Sequence, residues 1–200
     1  MRVVVIGATG TIGRAVATAL EGRHEMVRVA RTRADYRVDI ASSDSIQKLL
    51  DAIGPFDAMI CAAGLAKFGP LETLTDADFR LGLSSKLMGQ INLLRMGLAQ
   101  GRDGASFTLT SGVLASEPTP GSSAISPANA GVEAFVRAAA LEMPRKMRIN
   151  AVSPPWVSET LIAMGRNPSQ GLPAAKVAAA YVESVEGRRN GEVLDARRFA

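Results

Sequence analysis

Short apolar runs rich in β-branched residues alternate with longer stretches of helical periodicity along the whole chain. Val3–Ile6, Met26–Ala30, Ala58–Ile60, Ser106–Thr110, Ile149–Val152 and Glu192–Leu194 read as strands, and a short piece near Arg37–Asp39 adds another. Between them, Thr11–Leu20, Ser43–Ala52, Thr75–Gln100, Ser126–Met143 and Ala174–Val185 read as helices. Thr75 followed by Asp78 forms a capping box with Asp in its third position. Pro144 stops the long Ala-rich helix after Met143, and Pro173 suits a helix start. Strict alternation of strand and helix predicts an α/β fold with a parallel sheet covered by helices on both faces. There is no repeat, low-complexity tract or linker. Residues 163–172 are the least structured stretch and are a candidate mobile lid over a site.

The junction of the first strand and first helix carries the strongest chemical signal. Val3-Val4-Val5-Ile6 runs into Gly7-Ala8-Thr9-Gly10-Thr11-Ile12-Gly13, with three glycines at three-residue spacing. The first permits a tight turn, the second lets backbone approach a pyrophosphate, and the third lets helix pack on strand. The helix N-terminus offers unpaired N–H groups and a positive dipole end to the same phosphates. An ordinary βα turn with packing glycines is the competing explanation.

Composition narrows the class without naming a function. The 200 residues suit one domain, 1–200, with a small substrate-side segment at about 155–175. Apolar residues make up 47% and charged ones 21%, so a soluble globular chain is expected. No apolar stretch has membrane-spanning length, and Gly7–Gly13 interrupt any signal-peptide layout, so no membrane and a cytoplasmic location are expected. One cysteine, Cys61, excludes an internal disulfide framework, and with the single His24 it leaves too little for a His/Cys metal site. A Ser-His-Asp triad would have to use His24, whose place just after the first helix marks a surface loop. The net charge is +4. Basic residues gather at Arg28, Arg31, Arg33 and Arg37, at Arg145, Lys146 and Arg148, and at Arg188, Arg189, Arg197 and Arg198. They are dispersed and carry few aromatics, so a phosphate-rich cofactor explains the first cluster better than nucleic acid does.

In this order the motifs resemble those of the short-chain dehydrogenase/reductase family, over nearly the whole chain. Gly7, Gly10 and Gly13 match its glycine turn in the spacing of its atypical members. Asp39-Ile40 resembles the acidic position that contacts adenine, and Cys61-Ala62-Ala63-Gly64 the turn that lines the cofactor ribose. Ser106–Ser111 resembles the strand ending at the catalytic serine. Arg148–Pro154 resembles the sixth strand and its proline turn, which wraps the nicotinamide carboxamide. The resemblance implies a Rossmann-type doubly wound sheet of about seven strands in the order 3-2-1-4-5-6-7. It also implies cofactor contacts from Gly7, Thr9, Gly10, Thr11, Ile12 and Gly13, from Ala62, Ala63 and Gly64, and from Pro154, Trp156, Val157 and Thr160.

The departures from the family are concentrated at its catalytic set of Asn, Ser, Tyr and Lys. The family's Tyr-x-x-x-Lys lies on Ile125 to Asn129, and its catalytic Asn position holds Lys86. Neither Tyr36 nor Tyr181 falls in a catalytic motif. Ser111 best matches the serine, although spacing to Ile125 puts Gly112 in the alignment slot. Pro155 stands where Gly is usual, and Glu159 where Thr is expected, with Thr160 next. Lys86, Ser111 and Asn129 are therefore the catalytic candidates. Lys86 competes with a snorkelling surface lysine, Ser111 with a strand-end cap, and Asn129 with a tolerated polar helix residue.

The second strand ends Val29-Ala30-Arg31-Thr32-Arg33 without a carboxylate to hold ribose hydroxyls. Arg31 can fork onto a 2′-phosphate and Thr32 can add a hydroxyl, which favours NADP(H) over NAD(H). Three functions compete. The first is an NADP(H)-dependent oxidoreductase acting on a small carbonyl or alcohol with a non-standard proton donor. The second is a catalytically silent NADP(H)-binding sensor or interaction protein, and the third a nucleic-acid binder. The short segment after the proline turn leaves the substrate pocket open or completed by a partner subunit. Family pairing implies a homodimer or homotetramer through the helices over Thr75–Gln100 and Ser126–Met143, with Gly89, Ile91, Leu94 and Ala138–Ala140 in contact.

Overall fold

The computed structural model describes residues 1–200. Its centre is a seven-stranded parallel sheet in the order β3-β2-β1-β4-β5-β6-β7. The strands are β1 Arg2–Ile6, β2 Glu25–Ala30, β3 Tyr36–Arg37, β4 Phe56–Cys61, β5 Gly101–Thr110, β6 Arg148–Ser153 and β7 Val193–Asp195. The helices are α1 Thr11–Leu20, α2 Ser43–Ile53, α3 Asp76–Leu81, α4 Gly89–Gly97, α5 Ser126–Ala139, α6 Ser158–Ala163 and α7 Ala174–Glu186. The apolar runs read as strands lie where expected, because a strand buried on both faces needs apolar side chains at every position. In β1, Val4 and Ile6 enter the core under α2, α4 and α5, while Val3 and Val5 enter the core under α1 and α7. Phe56 and Phe107 meet edge to face at 5.7 Å in the first of these cores.

The sheet order reverses between β1 and β4, which are hydrogen-bonded neighbours with Ile6 opposite Cys61. Chain leaves β1 toward one side and β4 toward the other. The carboxyl ends of these strands therefore frame a crevice at a topological switch point, where open α/β sheets hold ligands.

Three expectations are corrected. The helix over Thr75–Gln100 is three pieces: α3, a π-helical segment Gly82–Met88, and α4. Its capping box is present, with Thr75 and Asp78 exchanging hydrogen bonds. The helix over Ser126–Met143 ends at Ala139, because Leu141 and Glu142 close turns onto Ala138 and Ala139 before Pro144 is reached. The stretch 163–172 is anchored at both ends. It contains the end of α6 and a 3₁₀ turn at Pro168–Gln170, and Leu172 N donates to Trp156 O at 2.8 Å.

Candidate active site

The glycine turn opens at the carboxyl end of β1. Gly7 N donates to Val29 O at 2.8 Å and Gly10 N to Gly7 O at 2.9 Å, so α1 starts with Gly10 as its uncapped N-terminal residue. The three glycines differ in what requires them. A Cβ on Gly13 would lie 2.1 Å from Gly7 O, and one on Gly7, whose φ is +87°, would lie 2.7 Å from Ala62 O. Those two serve packing. Gly10 has ordinary φ, and a Cβ there would meet only Gly7 O, at 3.3 Å. That contact is tight but can be relieved by a shift of a few tenths of an ångström, so the fold requires Gly10 less than it requires Gly7 and Gly13.

A cleft of about 300 Å³ runs from this turn across β1 and β4. It brings together Gly7, Thr9, Gly10, Arg31, Asp39, Ile40, Ala62, Ala63 and Gly64, as the sequence implied, with Val38, Leu65 and Ser85 added. Arg31 is exposed and stands 3.9 Å from Asp39 Oδ2, too far for a hydrogen bond, so its donors are free. Thr32 does not line the cleft, because the chain turns away through Arg33 in the left-handed region. Gly13 lies beneath the turn, and Thr11 opens onto a neighbouring depression with Arg14. Arg14, which the motif reading missed, donates to Thr9 O at 3.0 Å and has no carboxylate partner.

A second cavity, of about 150 Å³, follows at the carboxyl ends of β5 and β6. Ile12, Val113, Leu114, Ile125, Pro154, Pro155, Trp156 and Val157 give it apolar walls, with Thr160 from α6 at its border. Lys86, Ser111, Gly112 and Asn129 complete it, so all three catalytic candidates converge. Lys86 sits in the π segment, whose wider turns re-aim side chains relative to an α-helix. Gln90 fastens that segment. Its amide donates to Lys86 O and Thr110 O, both at 2.9 Å, and accepts Thr110 N at 2.7 Å, tying α4 to the end of β5. Gly64 makes room for the Lys86 stem, since a Cβ there would lie 3.0 Å from Lys86 Cα and Cγ. The Lys86 ammonium donates to Ser111 O at 3.2 Å. Burial lowers the pKa of Lys86 to about 8.

Ser111 plays a different part from the one its position suggested. Its hydroxyl donates to the buried Glu133 carboxylate at 2.8 Å, under α5, so it faces the cavity through its carbonyl and is not aimed as a proton relay. Asn129 Nδ2 donates to Gly112 O at 3.4 Å, and a Cβ on Gly112 would lie 2.9 Å from that nitrogen. The absence of a side chain at Gly112 thus clears space for the Asn129 amide. Asn129 Oδ1 is buried without a hydrogen-bond partner, an open acceptor at the cavity wall. Tyr181 is sealed in the core with its hydroxyl 2.7 Å from Thr110 Oγ1, which donates to Cys61 O, and burial raises its pKa. It has no route to the cavity. Glu159 accepts Ala174 N at 3.0 and 3.1 Å, closing the N-terminus of α7.

Two contacts brace Trp156, a wall of the cavity. Phe68 meets Trp156 edge to face at 5.5 Å, and the Arg166 guanidinium lies over the indole 5.2 Å from its centroid. Gly69 N donates to Gly121 O at 2.9 Å, and Gly121 leaves space for the Phe68 ring. These contacts between distant segments have no sequence signal.

The implied pairing residues sort differently from expectation. Gly89 packs on Ile40, and Leu94 is in the core, so neither is available to a second copy. Ala139 and Ala140 pack against the core as well, whereas Ala134, Ala138 and Leu141 are exposed along α5. No helix is long and apolar enough to cross a membrane.

Comparison with known proteins agrees with this architecture. A family model described as Enoyl-(Acyl carrier protein) reductase matches residues 7–194. The cis-4-hydroxycyclohexanecarboxylate dehydrogenase of Sinomonas cyclohexanicum is 30% identical over 98% of this chain and 87% of its own. The crystal structure of the protein lin1944 from Listeria innocua superposes with a TM-score of 0.93 at 41% identity, covering 98% of both chains. A small-chain dehydrogenase solved in complex with NADPH superposes at 0.83 with 25% identity, covering 98% of this chain and 95% of that one. Glycine turn, strand order and whole-length similarity together make this chain a member of the short-chain dehydrogenase/reductase family of oxidoreductases.

Proposed function

We propose that the protein is an NADP(H)-dependent oxidoreductase that interconverts a small carbonyl compound and its alcohol, with Lys86 as proton donor. The carrying observation is the Lys86 ammonium itself. It is held at the floor of an otherwise apolar cavity, with one backbone carbonyl as its only hydrogen-bond partner and a pKa of about 8. An amine of that pKa is protonated at neutral pH and still able to give up its proton. Ile125, in the tyrosine position, can exchange none.

The residues present fit the cofactor. Gly10 leaves an approach to the backbone that a side chain would close, and the uncapped start of α1 suits a pyrophosphate. Arg31 has free donors for a 2′-phosphate. The orphaned Asn129 Oδ1 would accept a ribose hydroxyl. A bound dihydronicotinamide supplies the hydride. Lys86 then polarises and protonates the substrate oxygen, and its charge disfavours the oxidised, positive nicotinamide ring. The apolar walls from Pro154, Pro155 and Trp156 limit access of water. That one solved relative binds NADPH, and another relative is named a dehydrogenase, supports this reading.

A silent cofactor-binding protein is the second reading, favoured by the turned-away Ser111 hydroxyl and the sealed Tyr181. NADPH oxidation against a broad carbonyl and quinone panel decides between them: no turnover on any member rejects the enzyme. For the cofactor, NADPH should bind more tightly than NADH, and Arg31→Ala should erase about 1.5–3 kcal/mol of that preference. Fluorescence titration with both cofactors measures it, and equal affinities in the unmodified protein reject the assignment. We also propose a small-molecule partner rather than nucleic acid, since Arg2, Arg23, Arg28, Arg102 and Arg197 are already ion-paired. The self-association proposed here runs through α5.

A further inference from the structure

We infer that the substrate carries a carboxylate beside its apolar, carbonyl-bearing body, and that Arg166 is the residue that selects it. The inference rests on the oxidoreductase reading and extends it to a substrate class. Arg166 is placed by the end of α6. Gly165 takes a left-handed φ of +67°, Gly165 N donates to Ile162 O at 2.9 Å, and Arg166 N returns to Leu161 O at 2.8 Å. This is a helix-terminating turn with glycine at its left-handed position, and it fixes the direction in which residue 166 leaves the helix. The side chain then crosses to Trp156, a wall of the Lys86 cavity, and lays its guanidinium over the indole.

The guanidinium carbon lies 5.2 Å from the indole centroid, a cation–π contact that takes up none of the N–H donors. Arg166 donates no side-chain hydrogen bond and has no ion-pair partner within the protein. Glu159 and Glu117 are engaged with other partners. Glu159 accepts Ala174 N, and Glu117 is held by two nitrogens of Arg197 at 2.6 and 2.9 Å. Lys86 is thus the cation that lines the cavity, and Arg166 stands behind one of its aromatic walls, against Trp156. A planar fork of donors at the edge of an apolar slot is complementary to a carboxylate. The two cations together favour entry of an anion. A neutral substrate of equal size leaves Arg166 without a function beyond covering Trp156.

Trp156 is the only tryptophan, so its fluorescence reports on this wall alone. The NADP⁺-saturated protein is titrated with levulinate, with longer-chain keto acids, and with the methyl ester of each. The expected result is that the preferred acid binds at least about tenfold more tightly than its ester. Arg166→Gln should bring acid and ester to equality, and Arg166→Lys should keep part of the difference. Affinity for NADPH, measured by its own fluorescence, should be the same in all three proteins. The inference is overturned if no acid gives a saturable response, if acid and ester bind alike, or if Arg166→Gln leaves their ratio unchanged. It is also overturned if Arg166→Gln weakens NADPH instead, which would assign the guanidinium to the cofactor. NADPH oxidation with the same compounds is followed separately. Selective binding of the acid without any turnover leaves the carboxylate inference standing and rejects the carbonyl-reducing reading. Equal kcat/KM for acid and ester does the reverse.

Discussion

At the residue scale, two pairs of opposed demands decide the site. The first is within the glycine turn. Gly13 is packed against backbone at a distance no Cβ tolerates, whereas a Cβ on Gly10 would need Gly7 O to yield only a few tenths of an ångström. Gly13→Ala should therefore lose much of its folding stability in urea titration. Gly10→Val should keep a native circular dichroism spectrum but lose NADPH binding, because the valine would stand where phosphate approaches. Retained affinity in Gly10→Val removes the turn as the phosphate site. The second pair is within Lys86, where burial opposes charge and the cavity offers one carbonyl in return. In the unfolded chain the amine has its ordinary pKa of 10.5, and folding lowers it to about 8. Burial therefore costs stability in full below about pH 8, and the cost fades as pH approaches 10.5. Lys86→Met should gain on the order of 1–3 kcal/mol at neutral pH, less at pH 10, while losing turnover and keeping NADPH binding. In the unmodified enzyme, carbonyl reduction should fall as pH rises through about 8, and alcohol oxidation should rise over the same interval. Undiminished turnover in Lys86→Met rejects it as the acid. A stabilising change that abolishes activity is what a functional rather than a structural lysine predicts.

At the element scale, strand positions and the glycine turn were legible because each rests on a local pattern. Val3–Ile6 is apolar throughout because both faces of β1 are covered, and that shows in four consecutive residues. The interruption of the helix over Thr75–Gln100 was not legible. Leu81, Leu83, Leu87 and Met88 fit an α-helical stripe well enough to hide the π segment, and its cause is Gln90 reaching back to Lys86 O and across to β5. That Lys86 falls at a candidate position was legible from the resemblance, but its place in the cavity wall was not, since that depends on Gly64 and Gln90 together. Likewise the Ser111 hydroxyl could be placed at a strand end but not directed, because Glu133 lies two helical turns into α5. Gln90→Leu tests the element directly. It is close in volume and fully buried, and it leaves Thr110 N and two carbonyls without their present partner. Unfolding free energy should drop by about 2–4 kcal/mol. kcat should fall more than NADPH affinity, because Lys86 is displaced while the glycine turn is untouched. Loss of stability with kcat unchanged would separate the π segment from the chemistry.

At the scale of the whole molecule, alternation of strands and helices dictated a parallel sheet, and sheet order then forced the crevice between β1 and β4. The surface was harder to read, because a helix shows which positions are apolar but not which of them face a neighbour within the chain. Ala134, Ala138 and Leu141 follow helical spacing along and just beyond α5, and Leu141 is 89% exposed. A side chain so exposed at the end of an Ala-lined face is where a two-fold contact between copies would gain most, since each residue of such an interface is counted twice. Burying one leucine is worth about 1.5–3 kcal/mol, so the symmetric pair contributes about 3–6 kcal/mol, a factor of about 10²–10⁴ in dimer dissociation. Light scattering across a concentration series should show a dimer or tetramer for the unmodified protein. Leu141→Glu, which puts two carboxylates against each other across the axis, should give a monomer at the same concentrations. NADPH affinity should survive the change, because the cleft lies at the carboxyl ends of the strands and takes no lining residue from Ala134, Ala138 or Leu141. A unmodified protein that stays monomeric at high concentration, or a Leu141→Glu variant that assembles as before, removes α5 as the pairing face.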